Sequence, residues 1–147
     1  MEKRNRLLGR ASLANGLEVY FYDLSKEIVA DRWHVRLSIR VPIELSKESL
    51  GDAGQNPGAV DEFLRVTGGK IEFAVERQLN FVDAKQVEAS LQLLKNEFMK
   101  TNSGYLATPE FAAKFVRKRY QEWLEQEELR RRYTEHLLST ERNRPID

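Results

Sequence analysis

Between Arg32 and Ile43 apolar and polar residues alternate strictly. Trp33, Val35, Leu37, Ile39, Val41 and Ile43 fall on one side, and Arg32, His34, Arg36, Ser38 and Arg40 on the other. A period of two over this length predicts a half-buried β-strand, because successive strand side chains point to opposite faces. Pro42 lies near the end, where a missing ladder donor matters least. Ile71 to Val82 repeats the pattern. Ile71, Phe73, Val75, Leu79 and Phe81 share one face; Glu72, Glu76, Gln78 and Asn80 share the other. Arg77 sits on the apolar side and predicts either a bulge or a side chain that snorkels at the sheet edge. Asn15-Gly16 supplies the positive φ angles of a type I′ turn, which predicts a hairpin joining Arg10–Ala14 to Leu17–Tyr22. A helix over residues 2–14 ended by Gly16 is the rival reading. Asp23 to Asp31 reads as a polar connection.

Elsewhere the period lengthens to that of a helix. Residues 44–57 read as a loop. Asn56 then suits an N-cap and Pro57 a first turn, Val60, Phe63 and Leu64 form a stripe, and Gly68-Gly69 ends it; this predicts a short helix over 57–67. Asp83 and Gln86 have capping-box spacing, and Ala84, Val87, Leu91, Leu94 and Phe98 step by three and four to about Lys100. Thr101 to Gly104 reads as a turn. Thr108 then caps a last helix, with Pro109 first and Glu110 in its first turn. Phe111, Phe115, Tyr120, Trp123 and Leu124 make its buried stripe. After the polar break Glu125-Gln126-Glu127-Glu128, the residues Leu129, Tyr133 and Leu137 resume at a spacing of four, at a shifted angle around the helix. Glu110–Lys114, Glu127–Arg131 and Glu128–Arg132 are i,i+4 pairs in the favourable order, each worth about 0.2–0.5 kcal/mol. From Thr140 the tail reads as frayed.

The element order is β-β-β-α-β-α-α. It predicts an α+β fold: an antiparallel sheet of about four strands, with two long C-terminal helices packed on one face and a short helix before the last strand. The connection through the short helix allows that strand to be parallel or antiparallel. A single domain over residues 1–147 is expected, its last helix extending beyond the body from about residue 125.

Composition narrows the chemistry. The 147 residues contain no cysteine, which removes disulfides, thiolate metal sites and a cysteine nucleophile. With only His34 and His136, a three-histidine zinc site within one chain is impossible. Neither phosphate-loop, dinucleotide nor nucleophile-elbow spacing occurs: around Gly68-Gly69-Lys70, Leu64 stands where the first phosphate-loop glycine belongs and Ile71 where the Ser/Thr belongs. No cofactor and no metal are therefore expected. No run of about 18 apolar residues predicts a membrane span, and the basic start lacks the apolar core of a signal peptide, so no membrane partner and a cytoplasmic protein are the expectation. With 24 Lys+Arg against 23 Asp+Glu the net charge is +1, so a basic patch must be balanced by acid elsewhere.

Four constellations remain. Arg32, His34, Arg36 and Arg40 form a cationic row on the polar face of the long strand, and Tyr20 and Tyr22 join it if the neighbouring register suits. Cations interleaved with aromatics hold phosphates and stack bases, so an anionic ligand or nucleic acid is one partner class. The plainer reading is cross-strand ion pairing with Glu72 and Glu76. His34 is the one candidate acid/base, oriented by Asp23 or Asp31 with Arg36 and Arg40 binding an anionic substrate, as in a small hydrolase or transferase; a solvent-facing strand histidine is the ordinary alternative. His136 near a helix C-terminus reads as structural. Gly51, Gly54 and Gly58 mark a loop, either a lid or mobile surface. In the last helix, Lys114, Arg117, Lys118 and Arg119, then Arg130, Arg131 and Arg132, alternate with Glu122, Glu125, Glu127 and Glu128, too much acid for a nucleic-acid helix. Leu129, Tyr133 and Leu137 need cover, either the chain's own sheet edge or a second copy in a homodimer. The stretch from Ala14 to Leu45 resembles small bacterial proteins, a likeness that implies no activity and no functional residue. The expected function is a non-catalytic interaction module that self-associates through the C-terminal helix.

Overall fold

The computed structural model describes residues 2–50 and 56–143, so Gly51 and Gly54 of the glycine-bearing loop lie outside the described residues. The elements are β1 (Arg6–Ser12), β2 (Glu18–Asp23), β3 (Lys26–Val29), β4 (Arg32–Glu44), α1 (Lys47–Leu50), α2 (Pro57–Thr67), β5 (Lys70–Asp83), a 3-10 turn (Ala84–Gln86), α3 (Val87–Leu106) and α4 (Phe111–Arg142). The fold is α+β, with a five-stranded antiparallel sheet ordered β1-β2-β4-β3 and β5 on the other edge of β4. β5 is therefore antiparallel, the sense that connection length left open.

β2 and β3 are two halves of one strand line. Tyr20 faces Arg40 and Lys26 faces His34, each step forward matched by one step back along β4. The line breaks at Leu24-Ser25: the Leu24 N–H still donates to the Arg36 carbonyl at 2.9 Å, but a side chain takes the return bond. Ser25 Oγ accepts from the Arg36 N–H at 3.1 Å, and Asp23 Oδ1 accepts from the Ser25 N–H at 2.9 Å. Buried backbone donors need such partners, which is why two polar residues occupy inward positions. The β3 strand was hidden in the predicted polar connection by this interruption.

The first hairpin forms, but with differences. β1 is Arg6–Ser12, displaced from Arg10–Ala14, and no helix forms over residues 2–14. Leu13 and Leu17 close a loop over Ala14, Asn15 and Gly16, and of that loop only Gly16 has positive φ, at 88°. This is a three-residue loop with glycine in the left-handed position, in place of the expected type I′ turn. Asn15 is held otherwise: its Nδ2 donates to the carbonyls of Leu106 at 2.7 Å and Thr108 at 3.0 Å, closing the end of α3.

Helix boundaries also shift. α3 runs on to Leu106 through the predicted turn at Thr101–Gly104. Asn102 donates back to the Phe98 carbonyl at 3.0 Å, and Leu106 is fully buried; that burial outweighs the roughly 1 kcal/mol that glycine costs a helix. The Thr108 hydroxyl donates to the Tyr105 carbonyl at 2.9 Å, so it finishes α3 and does not cap α4. Asp83 accepts from the Lys85 N–H at 3.0 Å and opens the 3-10 turn instead of a capping box with Gln86. α2 follows expectation: Asn56 accepts from Ala59 N–H, Pro57 is first, and Gly68 ends the helix at φ 68°.

The chain divides into two compact units, Met1–Glu44 with Lys70–Ala112, and Leu45–Gly69 with Ala113–Asp147. In the first, Val19, Phe21, Val35, Leu37, Ile39 and Val41 of the sheet are buried together with Val87, Leu91 and Phe98 of α3. Arg77 reaches over Phe98, its guanidinium carbon 5.6 Å from the ring centroid, so it snorkels. The bulge lies farther along, opposite Trp33–Val35, where Phe81 takes φ 56°. The bulge puts Phe81, expected on the buried face, out of phase and 69% exposed; Leu79 precedes it, keeps the inward parity opposite Val35, and is exposed towards the strand's end. In the second unit, Phe63 of α2 packs edge-on against Tyr120 of α4, with ring centroids 5.2 Å apart, and against Trp123 at 5.4 Å.

Candidate functional site

The polar face of β4 lies where the alternation places it, and the register of β2 brings Tyr20 opposite Arg40 and Tyr22 opposite Ser38. The Arg40 guanidinium lies 4.5 Å from the Tyr22 ring centroid, while its Nε donates to Ser38 Oγ at 3.0 Å. Carboxylates match the row: Arg32 faces Asp83 at 3.5 Å, Arg36 faces Glu76 at 2.8 Å and Arg40 faces Glu72 at 3.9 Å. Arg36's hydrogen bond holds the Glu76 carboxyl below the usual glutamate range against partial burial. Tyr20 donates to Glu18 at 2.7 Å, and this bond holds its phenol above the ordinary value.

His34 stands on the same face and meets Gln78 at 2.9 Å. Asp23, one of its two proposed orienting groups, is buried and engaged by Ser25, Arg6 and Arg4. Asp31 lies in the β3–β4 turn, where its carbonyl accepts from Ala84 N–H. Among the described residues, no cluster of three or more His, Cys, Asp or Glu side chains is arranged to hold a metal ion. No described helix is long and apolar enough to cross a membrane.

A second polar constellation escaped the sequence reading. Asp23 Oδ2 accepts from Arg6 Nε at 2.9 Å and from Arg4 Nη1 at 3.4 Å, and both arginines also pair with Glu88 of α3. Arg4 in turn lies 4.5 Å over the Trp33 ring. Burial pushes the Asp23 carboxyl up, but the bonds from Ser25, Arg6 and Arg4 together carry it below the ordinary aspartate value. The signal was a carboxylate at an inward position, continuing the parity of Val19 and Phe21. The cluster ties the N-terminal segment to β2 and α3, which is an architectural role.

The third surface is the second half of α4. At 100° per residue, Leu129 stands about 140° around the helix from Leu124, away from the side that meets α2. Leu129 is 68% exposed, Tyr133 62% and Leu137 47%. Ion pairs within the helix surround the stripe: Glu127–Arg130 at 2.8 Å, Glu128–Arg131 at 2.7 Å, Glu128–Arg132 at 3.1 Å and Arg131–Glu135 at 3.2 Å. Arg131 thus pairs with Glu128 and Glu135, not with Glu127 as spacing suggested. Arg131, above all, holds the Glu128 carboxyl below its ordinary value.

Comparisons with protein-family models, with curated proteins and with solved structures found no match.

Proposed function

We propose that this chain is a non-catalytic interaction module that self-associates through the exposed stripe Leu129, Tyr133 and Leu137. The observation that carries this reading is their exposure on a continuous helix whose charged neighbours are already paired. About 27 Å of helix follows Leu124. A segment of this length gains most of its stability from packing an apolar face, with a few tenths of a kcal/mol from each ion pair.

A second copy suits the surface better than a strongly charged partner. The net charge is +1, and each arginine beside the stripe already has its glutamate. The energetics set the strength. Covering three side chains on each copy gains roughly 1–2 kcal/mol apiece. Against that stands an association cost of about 4–15 kcal/mol, so the contact is weak, reaching about micromolar strength only where the cost is at its low end.

The cationic face of β4 supports the alternative, an anionic-ligand or nucleic-acid binder, less well. Its arginines meet carboxylates, and the Arg36 Nε is buried, out of reach of an incoming anion. For the third reading, a hydrolase or transferase using His34, the imidazole meets Gln78, and among the described residues no carboxylate is hydrogen-bonded to it.

Light scattering over a concentration series tests the proposal. A mass that rises toward twice the monomer and falls back on Leu137→Asp is expected. A monomer throughout, unchanged by the substitution, contradicts it.

A further inference from the structure

Residues 2–7 lie along the end of β2 and the start of β3 in one unbroken register. Leu7 faces Tyr22, Arg6 faces Asp23 and Lys3 faces Lys26. The backbone bonds agree: the Arg4 N–H donates to the Ser25 carbonyl at 2.8 Å, and the Glu27 N–H donates to the Glu2 carbonyl at 2.8 Å. The register then slips at Leu8, and Gly9 faces Phe21. A bulge of this kind interrupts the ladder and bends the strand. It therefore divides the strand into two pieces, Gly9–Ser12 in the first hairpin and residues 2–7 beyond it.

The outer piece is held differently from the rest of the sheet. None of residues 2–7 is buried, and its one large apolar side chain, Leu7, is 54% exposed. In β4, by contrast, Val35, Leu37, Ile39 and Val41 are fully buried. Charge takes the place of the missing apolar contacts. Arg4 and Arg6 both meet Asp23 and Glu88, and Arg4 also covers the Trp33 ring. Asp23 and Glu88 belong to elements anchored without this segment, β2 by its ladder to β4 and α3 by its buried Val87, Leu91 and Phe98. A segment with few buried apolar contacts opens at a small fraction of the free energy of global unfolding.

We infer that residues 2–7 are a strap that opens about the bulge at Leu8 while the sheet stays folded, latched by Asp23 and Glu88 and guarding the edge of β3. When it opens, the Ser25 carbonyl and the Glu27 N–H lose their partners, and β3 is left as a bare edge. Such an edge is a template for pairing with another extended chain, and the closed strap blocks it. The bulge supplies the hinge, and two arginines on two carboxylates supply the latch. The device is independent of the stripe on α4.

Amide hydrogen exchange of the full chain, resolved by NMR over urea concentrations below unfolding, tests the strap. Local opening exposes little surface and responds little to urea, whereas global unfolding responds steeply. The Arg4 and Glu27 amides should exchange at least about a hundredfold faster than those of Leu37 and Ile39, with a flat urea response. Equal rates and equal urea slopes overturn the strap. The absence of cysteine allows it to be locked. Lys3 and Lys26 face each other between the two backbone bonds, in a pair with Cα atoms about 4.5 Å apart, within reach of a disulfide. Oxidised Lys3→Cys/Lys26→Cys should slow the Arg4 and Glu27 amides at least about tenfold, with recovery on reduction. A disulfide that does not form, or one that leaves these amides as fast as before, also overturns it. Asp23→Asn should speed both amides at least about tenfold and leave their urea response flat. Glu88→Ala removes a carboxylate that is 60% exposed, so it spares the fold, and should speed them about twofold to fivefold. Amides unmoved by either substitution refute the latch.

Discussion

Replacing Asp23 should separate the charge of its carboxylate from its role as a backbone acceptor. Asp23→Asn keeps an oxygen for the Ser25 N–H but turns the other oxygen, which receives Arg6 at 2.9 Å and Arg4 at 3.4 Å, into a donor. Hydrogen bonds to a charged group contribute about 1.5–3 kcal/mol each. The Arg6 and Arg4 side chains remain 46% and 23% exposed and keep Glu88, so part of that is recovered by solvent and the second acid. The expected cost of Asp23→Asn at neutral pH is therefore about 2–3 kcal/mol. Asp23→Ala also leaves the Ser25 N–H without its acceptor at the strand break, adding about 1–2 kcal/mol. Urea denaturation followed by circular dichroism measures both. The pH dependence has a definite sign. Because the folded carboxyl sits below its unfolded value of about 3.9, its contribution is present above that pH and is lost as pH falls through the folded value. The gap between wild type and Asp23→Asn should therefore narrow below about pH 4. A variant within about 0.5 kcal/mol of wild type, or an alanine no worse than the asparagine, would refute this account of the cluster.

Further outcomes follow from the same structure. Gly68→Ala should destabilise by about 1 kcal/mol, from backbone strain alone, since an added Cβ meets nothing within 4 Å while φ is 68°; an unchanged denaturation midpoint would contradict the left-handed helix end. Arg36→Ala should let the Glu76 carboxyl titrate closer to an ordinary glutamate by carbon-13 NMR, with less than about 1 kcal/mol lost, because both side chains are partly exposed; an unmoved titration would show that the pair does not form. With its arginines matched by carboxylates, the β4 face should bind a single-stranded RNA oligomer no more tightly at low salt than Arg36→Ala does; a steep salt-dependent affinity lost in the variant would revive the nucleic-acid reading.

Two-fold alternation placed β4 and most of β5, because one face is buried and a slip of one residue would expose it. It failed where side chains replaced the ladder. Ser25 and Asp23 stand in for backbone partners, so β3 was unreadable by period, although Asp23 at an inward position marked the site. It failed again at Phe81, where the bulge reverses the parity. Gly16 announced the hairpin, but Asn15 was committed to the end of α3, a long-range bond that no local turn signal contains. Similarly, the burial of Leu106 carried α3 through residues that suit a turn. Of the candidate surfaces, the row Arg32, His34, Arg36 and Arg40 with Tyr20 and Tyr22 was legible, and so were its pairing acids Glu72 and Glu76. The Arg4–Arg6–Asp23–Glu88 cluster was not, since its members are far apart in sequence. The stripe on α4 was legible because a change of helical phase after Glu128 is a local property of the chain.

Self-association through that stripe is tested most directly by sedimentation equilibrium of the wild type and Leu137→Asp, from about 1 μM to 1 mM, at low and high salt. The account predicts a reversible monomer–dimer equilibrium for the wild type, little changed by salt because the flanking charges are paired within each helix. It predicts a monomer for the variant, with the same melting temperature. A wild type that stays monomeric across the whole range, or a dimer that survives Leu137→Asp intact, would contradict it.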